Sequence, residues 1–326
     1  MFGSVHNKYS SDLLELKNEI GTLKNTFKVV LTIDFSLDNE NITSVMNNGR
    51  FEITSSYHYL LSQSFKNKCT LLAEDESDCE FFTLIAKTIA KIQIGSNISL
   101  SLNHLEGGGS RTHKKYIKML ADKSFGICVV DNDKKHPLGA EGDTSKAFKL
   151  ARNQRGYALN QECIVLDFHE AECVIPHEIL INVIDQSKID TLDKIKINDD
   201  LGDYQFRRYF DHKNGVDLST IWDLDSLYKQ EFWLPFFTSE PFFQTKPCRA
   251  INKCINVKKD IQCNSCIEID GLGDKILVDS ITEMKKVHLR PIYNRLTPHI
   301  KSQWDFIGRK ILDWGCILSL PPIKSF

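Results

Sequence analysis

The sequence has no run approaching the roughly 18 apolar residues that a membrane-crossing helix requires, so no span is expected. It also lacks a dominant charge: the formal net charge is −2 over 326 residues, too little to attract a polyanion globally. Any contact with nucleic acid must come from a local basic patch. The N-terminus, from Met1 to Tyr9, has none of the basic start, apolar centre and cleavage site of a secretory signal. No Gly-Lys-Ser/Thr ending closes the glycine-rich turn at 106–112, so no ATP-binding phosphate loop is expected. Ten cysteines are present, but Cys69, Cys128 and Cys163 fall inside expected buried strands, where a thiol acts as a small hydrophobe. A reducing, cytoplasmic setting is the expectation.

What is present is an ordinary globular composition, 41% hydrophobic and 26% charged, on a chain long enough for one main domain plus an elaboration. The organising stretch runs from Lys68 to Phe82. An apolar run, Cys69 to Ala73, ends abruptly in Glu74, Asp75, Glu76 and Asp78. Phe81, Phe82, Leu84, Ile85, Ile89 and Ile92 then follow at helical spacing. The reading is a buried parallel strand that delivers a carboxylate to its C-terminal end, with Ser77 or Asp78 capping the next helix.

That pattern repeats. Strands are expected at 68–73, 98–102, 125–130 and 163–167, and helices at 78–93, 110–122 and 143–155. Such alternation gives an α/β fold, a parallel sheet with helices on its faces. Ligands in such sheets bind outside the C-terminal ends of the strands. The expected organisation is an N-terminal packing segment at 1–65, a catalytic unit at 66–180 and a mainly helical region at 181–326. The first of these holds an expected helix at 10–26, a strand at 28–35 and an element of unassigned type at 51–61.

The second apolar strand, Phe125 to Val130, ends in Asp131-Asn-Asp133, and the fourth is followed by Glu170-Ala-Glu172, whose carboxylates share a face if extended. Glu74, Asp131 and Asp133 would repel one another without a cation, and hard carboxylate oxygens suit Mg²⁺ or Mn²⁺. Glu170 or Glu172 could complete the ligand set; a plain exposed glutamate pair is the bland alternative. The turn Glu106-Gly-Gly-Gly-Ser-Arg-Thr112 allows positive φ, and Gly108, Gly109, Ser110 and Arg111 could meet a phosphate at a helix N-terminus. A simple strand-to-helix turn explains it equally well. Lys134 and Lys135, beside the acids, could meet the same backbone.

Cys248, Cys254, Cys263 and Cys266 fall in a Cys-rich insertion at 246–268. The two-residue spacing of Cys263 and Cys266 suits a structural zinc, whereas the first pair is looser than usual. Lysines and arginines around these cysteines and in the tail, among them Lys285, Arg295, Arg309 and Lys310, are either a nucleic-acid face or a solvated surface over a core. The aromatic group Phe232, Trp233, Phe236 and Phe237 reads as core or partner surface.

Leu-Leu-Ala-Glu74-Asp-Glu-Ser-Asp78 followed by Val-Val-Asp131-Asn-Asp133 resembles the two signature motifs of the Toprim fold, found in topoisomerases, primases and the OLD-type (overcoming lysogenization defect) nucleases of prokaryotes. With the Gly-Gly-Gly-Ser turn and the Glu170-Ala-Glu172 segment, the likeness is closest to OLD-type and related phage-defence effectors. It covers roughly residues 66–180. The resemblance implies that Glu74 is a metal ligand or general acid/base, Asp78 a supporting acid, Asp131 and Asp133 the metal pair, and Glu170 or Glu172 a further ligand. One departure is Asp75, where the family carries glycine, which would bring another charge to the site. The chain has no ATPase segment, which implies a separate ATPase or sensor subunit, or action alone.

The expectation is a Mg²⁺-dependent nuclease acting on DNA or structured RNA, an antiviral defence effector, as a homo-oligomer or within a defence complex. Two alternatives stand beside it. One is a degenerate Toprim module, spoiled by Asp75, that binds a partner ATPase or nucleic acid. The other is a phosphotransferase or phosphatase with Asp131 as nucleophile.

Overall fold

The computed structural model describes residues 29–36, 42–47, 50–58, 68–94, 98–122, 124–155, 161–201, 204–238 and 267–318. The helix expected at 10–26, the four cysteines Cys248, Cys254, Cys263 and Cys266 and the basic residues around them lie outside these. The structure therefore bears on neither that helix nor the zinc expectation.

β1 (Val29–Asp34), β2 (Ile42–Asn47) and β3 (Arg50–Ser56) form a small sheet in which β3 lies between a parallel β1 and an antiparallel β2. The unassigned element at 51–61 is thus mainly a strand, and β2 is a strand that the sequence did not announce.

The sheet that positions the site is α/β in character, as expected. Its strands are β4 (Cys69–Ala73), β6 (Leu102–Glu106), β7 (Gly126–Val130) and β8 (Gln161–Val165), in the order β6-β4-β7-β8 and all parallel. α1 (Glu76–Ile89) follows β4, α2 (Thr112–Ala121) follows β6, and α3 (Asp143–Arg155) follows β7. The strand expected at 98–102 corresponds to a different element. β5 (Ile98–Leu100) pairs with β11 (Cys316–Leu318) in a two-stranded ribbon, and the sheet strand begins at Leu102. Both runs are short and of mixed polarity, so the pattern alone could not choose between them.

Alternation along the strands divides the core into two layers. Leu71, Ile127 and Val129 point to the side of α1, while Leu72, Cys128 and Val130 pack with Tyr116 of α2 and Phe148 of α3. The first layer does not stop at residue 180. It continues through α4 (His177–Val183), α5 (Ile189–Asp200), α6 (Gln205–Tyr209), β9 (Gly215–Asp217), α7 (Leu218–Tyr228), α8 (Leu234–Thr238), β10 (Ile267–Asp270), α9 (Ile276–Lys286), α10 (Leu289–Arg295) and α11 (Pro298–Gly315). Buried side chains from Leu71 of β4 to Leu312 of α11 belong to one cluster.

α11 seats directly on α1. A Cβ at Gly308 would come within 2.6 Å of Ile89 Cγ1, so the absent side chain lets the helices approach. Trp304 is fully buried and its indole N–H donates to the Val174 carbonyl at 2.8 Å. Trp233 is likewise core, edge-on to Phe206 and Phe236. The tail cations mostly cover this core. Lys285 pairs with Glu80, Arg295 with Glu178 and Lys310 with Glu162, and Arg309 donates to Gln93. Among the described residues no helix is long and apolar enough to cross a membrane. Cys69, Cys79, Cys128, Cys163 and Cys173 are free thiols.

Candidate metal centre

All four parallel strands contribute their C-terminal ends to one place. β4 and β7 are neighbours in register, Leu72 opposite Cys128, so Glu74 and Asp131 emerge side by side. The Asp131 backbone N–H donates to the Glu74 carboxylate. β6 supplies the glycine turn beside Glu74, and the segment after β8 supplies His169, Glu170 and Glu172.

The backbone N–H groups of Gly108 and Gly109, expected to face a phosphate, instead donate to the Glu74 carbonyl oxygen at 2.9 and 3.4 Å, and Gly107 N–H donates to Ala73 at 2.7 Å. Gly108 and Gly109 do adopt the positive φ anticipated, 81° and 59°. The turn therefore braces the end of β4 and offers no row of free donors. Thr112 bonds back to the Gly109 carbonyl at 2.6 Å, and neither it nor Ser110 caps α2.

The cap of α1 also differs from expectation. It is Asp75, whose Oδ1 accepts from Ser77 N–H at 3.2 Å, while Asp78 Oδ2 accepts from Asp75 N–H at 2.9 Å. This reciprocal pair is a capping box. Asp75 is exposed and its φ of −131° is extended backbone open to any residue. The residue standing where the Toprim pattern has glycine is thus unstrained, and its carboxylate serves the helix.

Asp133 has φ 54°, a left-handed conformation that aspartate tolerates better than most residues. Its N–H donates to the His169 carbonyl at 3.0 Å, tying the loop after β7 to the loop after β8. Gly142 leaves room for its side chain: a Cβ there would lie 1.9 Å from Asp133 Oδ2. Gly142→Ala should displace the Asp133 carboxylate and weaken Mn²⁺ binding about tenfold or more, an effect of the size seen when groups supporting metal ligands are changed. Calorimetric titration of the variant checks this, and unchanged affinity would count against Asp133 as a ligand.

Tertiary structure adds residues that the sequence reading did not single out. The turn after α6 carries Asp211, His212 and Lys213 into the centre. Along the sequence this stretch shows only a helix end before a glycine stop, which Gly215 at φ 80° does provide. Three consecutive residues capable of chemistry before a glycine were the available signal. Lys213 Nζ lies 3.1 Å from Glu172 Oε1 and 3.8 Å from Glu170 Oε2. Lys135 Nζ is 2.9 Å from Asp211 Oδ2, so its charge is engaged within the centre. Backbone bonds from Leu272 and Gly273 to the carbonyls of His212 and Lys213 clasp the turn.

Crowded acids shift one another. Burial, then Asp133 and Asp78, raise the Glu74 carboxyl to about 7. Burial raises Asp78 to about 6. Burial and the neighbouring Asp78 and Glu74 push Asp131 well above the usual carboxylate range. Burial also raises Asp133. Burial and Glu170 raise Glu172 to about 8, even with Lys213 opposite. Two acids go the other way. Burial opposes ionisation of Glu170, but hydrogen bonding and charge from His212 bring it below its ordinary value. Burial opposes ionisation of Asp211 too, yet His169, the Asn214 N–H and Lys135 hold it well below. Attraction to Glu172 and Glu170 outweighs burial and raises Lys213.

Buried polar atoms are left without a partner: Glu74 Oε1, Glu172 Oε2 and His169 Nδ1. Such orphans in a native site point to a missing ion or water. One ligand atom from each of His169, Glu170 and Asp211 lies within 4.8 Å of the others, a grouping that could hold a metal ion. No family model, curated protein or solved structure matched the chain. The chemistry of the site itself shows a grouping of donors that could hold a metal ion.

The raised carboxyls make metal-free stability depend on pH in a definite direction. In the folded state Glu74, Asp78 and Glu172 keep protons that the unfolded chain releases near 4.5 for glutamate and 3.8 for aspartate. Stability therefore falls as pH rises through the folded values. The buried His136 and His212 and the half-buried His177, held below 6.5, act oppositely but only below that pH. Between about pH 6.5 and 8 the acids act alone. In EDTA the melting temperature should decline across this window, and saturating Mg²⁺ should flatten the decline. A melting temperature in EDTA that stays level or rises would sink this account.

Proposed function

We propose that this chain is a Mg²⁺- or Mn²⁺-dependent nuclease with a Toprim-type catalytic core that hydrolyses phosphodiester bonds in DNA or in structured RNA such as tRNA. The single observation that carries the reading is the Glu74 carboxylate: largely buried, one oxygen without a partner, and set among Asp78, Asp131 and Asp133 at the ends of adjacent parallel strands. Clustered carboxylates repel one another unless they are protonated or neutralised, and a bound cation would relieve that repulsion.

A bound divalent cation would neutralise charge on a phosphate oxygen and acidify a water molecule. The protein's own groups do the rest. By the motif likeness Asp131 and Asp133 would hold the cation, beside the grouping of His169, Glu170 and Asp211 whose ligand atoms already converge. Glu74, titrating near neutrality, is suited to taking the proton of the attacking water. Lys213 keeps Glu170 and Glu172 in place and presents an ammonium to the charge that develops on the phosphate.

The exposed, helix-capping Asp75 supports the catalytic reading over the degenerate module, since its carboxylate accepts from Ser77 N–H on the helix. A role as a prokaryotic defence effector, with a separate ATPase or sensor or within an oligomer, belongs to the same proposal and rests on the motif likeness alone.

The test is cleavage of plasmid, single-stranded DNA and total tRNA with Mg²⁺ or Mn²⁺ against an EDTA control. Metal-dependent cutting of any of these supports the reading and names the substrate class. A purified chain that loads metal yet cuts none of them, alone or with lysate from phage-infected cells, overturns it.

A further inference from the structure

We propose that the exposed face of α2 is a docking track for the phosphodiester backbone of the substrate strand, leading away from Glu74. The inference rests on the nuclease reading and adds where the substrate lies. α2 reads Thr-His-Lys-Lys-Tyr-Ile-Lys-Met-Leu-Ala and contains no acidic residue. Its buried face, Thr112, Tyr116 and Met119, packs on the sheet. Arg111, Lys114 and Lys118 fall at helical spacing on the other side, and all three are exposed. Lys115 is engaged by the Glu106 carbonyl.

Among the described residues none of Arg111, Lys114 and Lys118 has an acidic partner, whereas on neighbouring α3 Lys146 and Lys149 are matched by Asp143 and Glu141. On a chain of net charge −2, three unneutralised cations on one helix stand out. The ten-residue helix runs about 15 Å, with about 4.5–6 Å of rise between successive cations, so a nucleic-acid strand can lay phosphates along it.

Position ties the track to the site. The turn that starts it is bonded to β4 through Gly107 to Ala73 and Gly108 to Glu74. α2 also lies on the sheet face opposite α1, so among the described residues it is not covered by the C-terminal region that builds the other layer. Lysine and arginine ends contact phosphates and carry no base code in this arrangement, so the track should act independently of sequence.

The experiment measures binding without cleavage. Fluorescently labelled tRNA and a DNA duplex are titrated with protein in EDTA between 50 and 200 mM salt, the range over which phosphate contacts weaken most visibly; about 10³–10⁵-fold is lost for six to ten such contacts. Wild type is compared with Lys114→Gln/Lys118→Gln, with circular dichroism and melting to confirm folding, and with Lys114→Glu/Lys118→Glu. The track predicts roughly tenfold weaker binding for the Gln pair, a greater loss for the Glu pair, and a salt slope lower by about two. Equal affinity and slope in folded variants overturn it, as does wild type that binds neither nucleic acid at 50 mM salt. The cleavage assay separates the two ideas. Metal-dependent cutting with unaltered binding in the variants leaves the nuclease standing and removes the track. Binding that weakens as predicted in a protein that cuts nothing keeps the track and removes the nuclease.

Discussion

Glu74→Gln and Asp131→Asn are each expected to reduce metal-dependent cleavage by about 10²–10⁴-fold while the protein stays folded. Both variants keep the shape of the side chain and remove its charge from a crowded acid cluster. Folding should therefore be unharmed or improved in EDTA, because burial and neighbouring acids already raise both groups. The loss should divide differently between the two. Asp131→Asn removes a cation-holding oxygen, so its activity should recover partly at high Mn²⁺. Glu74→Gln removes the group that takes a proton near neutral pH, so excess metal should not rescue it, and the residual rate should lose its pH dependence near 7. Single-turnover cleavage across metal concentration and pH reads all of this. Full activity in both variants would mean that the chemistry lies elsewhere.

The second large effect is structural. Arg207 on α6 is fully buried; its Nε donates to Asp199 Oδ2 at 2.8 Å, and its Nη1 to the carbonyls of Cys173 and Ile175 at 3.1 and 2.8 Å. It thereby fastens the 171–175 segment, and with it Glu172, to the C-terminal helices. Burial alone would raise Asp199, but Arg207 and His299 hold it below its ordinary value. Arg207→Met should cost about 3–5 kcal/mol, because a buried carboxylate is left without its partner. Changing Asp199→Leu in the same protein should recover much of that loss, since removing both charges is far cheaper than removing one. Urea denaturation of the single and double variants measures it. The Asp199 contribution is present above the usual aspartate range and fades as pH falls through it, so the gap between wild type and Arg207→Met should narrow in acid. A single variant as stable as wild type would show that the pair does not hold the segment.

Much of the architecture could be read because it is local. The run Cys69 to Ala73 before a block of acids could only be a buried strand ending in charge, and Phe125 to Val130 before Asp131-Asn-Asp133 repeats the arrangement. Strand period, helix period and a glycine turn then fix an α/β alternation without reference to anything distant. β2 and the exact sheet strand after α1 were not legible, since short runs of mixed polarity fit several pairings and only their partners choose among them.

The sequence by itself determined the first acids of the centre, Glu74, Asp78, Asp131 and Asp133, because strand ends and motif spacing are carried by neighbouring residues. Only the tertiary structure decided that Asp211, His212 and Lys213 join them, because a turn about 80 residues beyond Asp131 reaches the site by packing on the same core. It also decided that the glycine turn braces Glu74 and that Asp75 caps a helix. Which atom receives an N–H depends on where chain segments meet, and no spacing along the chain records that.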